Sequence, residues 1–271
     1  MTQNLFDVKD LVVVITGGGG ILGRGMSEYM CSQGAKVVVL DRCRDAARNI
    51  ESELKEKGYD AISYCADVLV QDTLEEVADK IKEKYGRIDV LVNAAGGNQP
   101  GATIPPDKTI FDLDIEAFRK VVDLNLFGTV LPTMIFAKMM VEQKKGSIIN
   151  ISSESAIRPL TRVVGYSASK AAVTNFTKYL ATELATKFGE GLRVNAMAPG
   201  FFLTEQNRAL MTNPDGSLTA RGEKIIAHTP FGRFGNPDEL FGTLHWLASD
   251  ASKFVTGTMI VIDGGFDAFA I

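Results

Sequence analysis

The chain has little of what a metal centre, a disulfide framework or a nucleic-acid face requires. Its 271 residues include only two histidines, His228 and His245, seventeen positions apart, which is not ligand spacing. Cys31, Cys43 and Cys65 are an odd number without metal-like spacing. They fit the reduced thiols of a cytoplasmic protein, and nothing nearby supports any of them as a nucleophile. Lys and Arg form no extended basic face and the net charge is −4, which points away from nucleic acid. Apolar runs are strand-sized, so no membrane span is expected. The stretch Met1–Asp7 lacks the basic and apolar regions of a signal peptide.

What is present is hydrophobic material, 45% of residues, in a regular arrangement. No composition shift or Pro/Gly/Ser linker divides the chain, so residues 1–271 read as one domain. Strands are expected near 11–15, 36–40, 61–65, 88–92, 147–151, 192–196 and 258–262. Helices fall between them, the longest over about 112–142 and 164–188. This alternation predicts α/β architecture with a doubly wound, parallel, seven-stranded sheet.

The first strand runs into Thr16-Gly17-Gly18-Gly19-Gly20-Ile21-Leu22-Gly23. A glycine-rich turn between strand and helix lets backbone amides approach a pyrophosphate at the helix N-terminus, where the dipole favours an anion. The second strand ends in Asp41, twenty-four residues after Gly17, near the separation of the ribose-binding acid in a dinucleotide site. Asp41 can accept bonds from both ribose hydroxyls and repels a 2′-phosphate, which favours NAD over NADP. Arg42 and Arg44 leave NADP open, since either could pair with a phosphate if Asp41 turned away.

Further along, Tyr166 and Lys170 stand at i, i+4 and share a helix face, with Ser153 thirteen residues before the tyrosine. An ammonium beside a phenol favours the phenolate, making it a usable acid or base near neutral pH. Lowering the phenol by about three units needs about 4 kcal/mol. A single ammonium in water does not supply that. The site is therefore expected to be partly dry, or to share the work with a second positive charge.

The glycine turn, Asn93-Ala94-Ala95-Gly96, Asn125, Ser153, Tyr166-x-x-x-Lys170 and Pro199-Gly200 occur in the order found in the short-chain dehydrogenase/reductase family. The chain resembles that family from about Asp7 to Gly265, departing from it at Ile21, where the family commonly has Gly. The resemblance implies a Rossmann fold and a catalytic set of Asn125, Ser153, Tyr166 and Lys170. Tyr166 would exchange the proton, Ser153 would hold the reacting oxygen, and Lys170 would lower the phenol and bind nicotinamide ribose. Asn125 would hold a water linking Lys170 to solvent. The spacing to Tyr166 favours Ser153 over its neighbour Ser152. The cofactor site it implies comprises Gly17, Gly19, Gly20, Ile21, Leu22, Asp41, Arg42, Asp67, Val68, Asn93, Ala94, Ala95, Gly96, Tyr166, Lys170, Pro199, Gly200 and Thr204. It also implies a homotetramer built from the two long helices and the tail Gly265–Ile271.

Two segments are left for the substrate: Gly97–Pro106, and a lid over about 201–230 that continues to Arg233. Both lie beyond the carboxyl ends of strands, where a doubly wound sheet binds ligands. Their polar and cationic residues suit a small polyhydroxylated anion, and the segments resemble those of the family's sugar-acid branch. Arg158, Arg208, Arg221, Lys224 and His228 are candidates for a carboxylate, with Arg208 foremost. Asn98 and Gln206 are candidates for hydroxyls. The expected function is hydride transfer between NAD(H) and a sugar acid. A reductase of acyl groups on a carrier protein would want a basic docking surface, and an idle NAD-binding protein would not need the intact Ser-Tyr-Lys-Asn set.

Overall fold

β1 (Val12–Thr16) and β2 (Lys36–Asp41) consist largely of consecutive valines, buried on both faces. Such runs suit the centre of a parallel sheet covered by helices on both sides. In a computed structural model, which describes residues 4–269 apart from the side chains of Glu205 and Gln206, these strands pair in parallel. They are joined by β3 (Ala61–Cys65), β4 (Val90–Asn93), β5 (Gly146–Ile151), β6 (Leu192–Pro199) and β7 (Met259–Ile262). Every pairing is parallel and the order is β3-β2-β1-β4-β5-β6-β7. The chain thus leaves β1 in one direction and returns beside it as β4. That reversal opens a crevice at the strands' carboxyl ends.

Alternate strand residues feed two cores. Val13, Ile15, Val37 and Val39 pack with α1 (Ile21–Ser32), α2 (Arg44–Glu56) and α9 (Phe241–Ala248). Val12, Val14 and Val38 pack on the other face with α3 (Gln71–Tyr85), α5 (Gly128–Gln143) and α6 (Val164–Phe188). The remaining helices are α4 (Ile115–Val122), α7 (Glu205–Met211) and α8 (Ala220–Ala227).

The helix expected over 112–142 is three pieces: α4, a π-helical turn at Asp123–Phe127, and α5. Together Ile115–Gln143 are long and apolar enough to cross a membrane by length and composition, contrary to the reading that apolar runs are strand-sized. More than half of that window, 56%, is buried inside the protein. It is a core helix whose apolar character follows from being covered by the sheet and neighbouring helices.

Candidate active site

Gly17 is the pivot of the turn after β1. Its φ is +64°, and a Cβ there would lie 2.7 Å from the Ala95 Cα, so only glycine fits. Gly23 is equally constrained, since a Cβ would come within 2.3 Å of the Gly17 carbonyl oxygen. Gly20 is the N-cap of α1 and no side chain caps that end. The first-turn amides therefore remain free for an anion, with the helix dipole behind them. Ile21 sits in the first turn, 40% exposed and lining the cleft.

Asp41 ties the turn to β2. Its Oδ2 accepts the Gly19 amide at 3.0 Å and its Oδ1 the Cys43 amide at 2.8 Å. Gly19, expected at the cofactor, instead holds Asp41 in place and is absent from the cleft wall; a side chain there would strike the carboxylate.

The cleft has a volume of about 450 Å³. At one end are Gly17, Gly20, Ile21, Leu22, Asp41, Arg42, Asp67 and Val68. Its middle is walled by Ala94, Ala95 and Gly96, and the far end by Ser153, Tyr166, Lys170, Pro199, Gly200 and Thr204. Asn93 does not reach it. Its amide donates to Thr133 and Asn150 in a buried ladder that continues to Thr177, so it braces the sheet.

Ser153 ends β5's extension, and its hydroxyl accepts the Ser155 amide at 3.2 Å. Tyr166 lies in the first turn of α6, partly buried. Burial pushes its phenol up and a hydrogen bond with Ser153 opposes that rise. Desolvation is the larger of the two effects, so the phenol stands above its ordinary value. Lys170 is 3% exposed, donates to the Ile151 carbonyl at 2.7 Å and lies 5.5 Å from the Tyr166 ring centroid. Burial lowers its ammonium to about 8, so it stays mostly charged at neutral pH.

Asn125 occupies the π turn, fully buried. Its amide donates to the carbonyls of Gly97 and Val121, and its oxygen accepts the Gly97 amide. A Cβ on Gly96 would meet that oxygen at 2.7 Å and the Lys170 Nζ at 3.2 Å. The π turn thus places Asn125 beside Lys170 and fixes the segment after β4.

The substrate candidates scatter. Arg158 donates to the Asp267 carboxylate at 2.9 Å and to the carbonyls of Asp267 and Phe269, so it anchors the C-terminal segment and is not free for a carboxylate. Arg208 is exposed on α7, outside the cleft wall; Asn207 is the wall residue, bonded to Thr204 and Phe202. Asn98 is exposed and its amide goes to Thr103. The side chain of Gln206 lies outside the described residues. Arg221 is partly buried with Arg162 nearby, and both burial and that like charge lower its guanidinium. Phe201, Phe202 and Asn207, which the sequence places in the lid segment without singling them out, line the cleft.

A glycine turn, the Asp41 carboxylate and a Ser-Tyr-Lys group on one cleft define an NAD(P)-dependent oxidoreductase acting on a CH–OH group. A family profile described as enoyl-(acyl carrier protein) reductase matches residues 19–267. The chain is 42% identical over 266 residues to an uncharacterized oxidoreductase, UxuB, of Bacillus subtilis, covering 95% of each. The crystal structure of a protein from Haemophilus influenza, provisionally named D-mannonate oxidoreductase and holding NAD, superposes with a TM-score of 0.91 at 38% identity, covering 98% and 99% of the two chains. A gluconate 5-dehydrogenase from Burkholderia cenocepacia, in complex with NADP and tartrate, gives 0.87 at 30% identity, with 98% of each covered. The chain belongs to the short-chain dehydrogenase/reductase family.

Proposed function

We propose that the protein interconverts an alcohol and a ketone on a sugar acid with NAD(H), most specifically D-mannonate and D-fructuronate. The observation that carries this reading is the single cleft joining the glycine turn and Asp41 to Ser153, Tyr166 and Lys170. The fit to a dinucleotide rests on uncapped first-turn amides of α1, a turn that admits no Cβ at Gly17, and a carboxylate at the ribose end. The sugar-acid assignment rests on likeness to the Haemophilus and Burkholderia proteins and on the polar lid.

NAD, when bound, supplies the hydride acceptor and, oxidised, a positive ring. In the oxidative direction the Tyr166 oxygen takes the substrate hydroxyl proton as hydride leaves the same carbon, giving the ketone; reduction reverses both transfers. Ser153 holds the reacting oxygen by hydrogen bond. Lys170 binds ribose hydroxyls and favours the phenolate, and Asn125 keeps Lys170 and the β4 segment in register. Asp41 selects NAD over NADP by repelling a 2′-phosphate. With Arg158 engaged and Arg208 outward, Arg221, partly buried on α8 though outside the cleft wall, is the cation proposed to reach the substrate carboxylate when residues 201–230 close as the lid. Exposed Phe127, Met134 and Tyr179 on the long helices are the apolar surface for a homotetramer.

The test is a panel of sugar acids assayed in both directions with NAD(H) and NADP(H). D-Mannonate and D-fructuronate turning over fastest with NAD(H) supports the proposal. Preference for gluconate and its 5-keto product would move the protein to the gluconate 5-dehydrogenases, as the Burkholderia likeness allows. NAD binding without turnover of any member would leave a sensor or scaffold.

A further inference from the structure

Glu154 follows Ser153 directly and is 1% exposed, yet neither carboxyl oxygen has a hydrogen-bond partner among the described residues. A buried acid left this way is costly as an anion and needs an explanation. Its surroundings deepen the problem. The charged groups facing it are Asp263 and Asp267, from the segment after β7, and Arg158 from its own loop. Asp263 is occupied by the amides of Gly265 and Asp267, and Arg158 by Asp267 and two carbonyls. One guanidinium, already engaged, serves three carboxyl groups.

The segment 263–269, tied to the Glu154 loop through Arg158 and Asp267, also touches the cleft wall. The Phe266 ring packs edge-on against Phe201 at 5.1 Å between centroids, and Phe201 lines the cleft. His228, at the end of α8, lies against Phe266 and Phe269 at 6.5 and 6.2 Å. The segment is thus a strap joining the Ser153 loop, the cleft wall and the lid.

We propose that Glu154 is a positioning residue. Held as the neutral acid, it adds no charge beside the carboxylates of Asp263 and Asp267 and lets the strap lie on the Ser153 loop; ionised, it repels them and loosens the strap, and with it Phe201. The burial and the two neighbouring carboxylates raise the Glu154 carboxyl to about 7, which puts the transition within the working range of pH. This role rests on the sugar-acid reading only for its kinetic consequence.

Hydrogen exchange of residues 263–269 tests the strap without any substrate. After correction for intrinsic exchange, protection in the wild type should fall about tenfold from pH 6 to pH 8.5, and Glu154→Gln should hold its protection constant. In parallel, KM of the wild type should rise about fivefold over that range while kcat changes less than about twofold, and the Glu154→Gln profile should be flat. Asp267→Asn should move the transition to lower pH, because it removes one repelling charge and frees Arg158 for Glu154. His228→Asn should leave the midpoint in place. Unchanged strap protection across the range in the wild type, or a Glu154→Gln protein that keeps the wild-type transition, would overturn the proposal. Should the Gln variant fail to fold, an unmoved midpoint in Asp267→Asn does the same. Absence of turnover with sugar acids would remove the kinetic arm alone and count against the proposed function instead.

Discussion

At the residue scale, Asp41 does two jobs with one carboxylate. It accepts amides from the glycine turn and from Cys43, which fixes both oxygens at the end of the cleft lined by Gly17, Gly20 and Arg42. Replacing it with alanine removes the negative charge and loosens the turn. The ratio of kcat/KM for NAD over NADP should fall by about tenfold or more, about 1.4 kcal/mol of lost discrimination. Steady-state kinetics with both cofactors measure this, and a wild type already preferring NADP would move the phosphate onto Arg42. Motif residues of this kind were legible because a glycine turn after an apolar strand has few other physical uses. Arg158 was not. Its partner Asp267 lies 109 positions away, and no local spacing announces an ion pair that distant.

At the element scale, the π turn at Asp123–Phe127 lets α4 and α5 run as one body while pointing Asn125 at Gly97. Periodicity read the whole stretch as one helix, since a single wide turn barely disturbs an apolar pattern. The span Val164–Phe188 of α6 was legible to the residue, because a well-defined loop precedes it and Gly189 ends it. In the lid, sequence could name cations but not their directions, which depend on how α7 and α8 pack. Arg221→Leu should raise KM for the sugar acid about tenfold or more, with a much smaller effect on an uncharged polyol. Equal losses on both substrates would make Arg221 a support of the lid.

At the scale of the whole molecule, the alternating feed of two cores made the fold legible from strand composition. The buried acid beside the C-terminal strap was invisible, because its burial and its neighbours Asp263 and Asp267 come only with the fold. Its consequence for stability has a definite sign. Between pH 4.5 and about 7 the unfolded chain has released the Glu154 proton while the native chain retains it. Raising pH through that window therefore favours unfolding, and the loss levels off above it. Denaturant midpoints at pH 5 and pH 8 should differ more for the wild type than for Glu154→Gln, and equal differences would contradict this. The proposed tetramer is checked by light scattering, where a monodisperse monomer at micromolar concentration would exclude it.

In the proposed reaction Tyr166, with Ser153 and Lys170, moves the proton while NAD(H) exchanges hydride with a sugar acid. The most direct measurement compares D-fructuronate reduction by NADH in the wild type and in Tyr166→Phe, with NADH affinity measured by titration on both proteins. The wild type should turn over rapidly and the variant about a thousandfold more slowly, with NADH affinity changed less than about threefold. Activity of Tyr166→Phe within tenfold of wild type, or a wild type that binds NADH and leaves the sugar acid untouched, would contradict it.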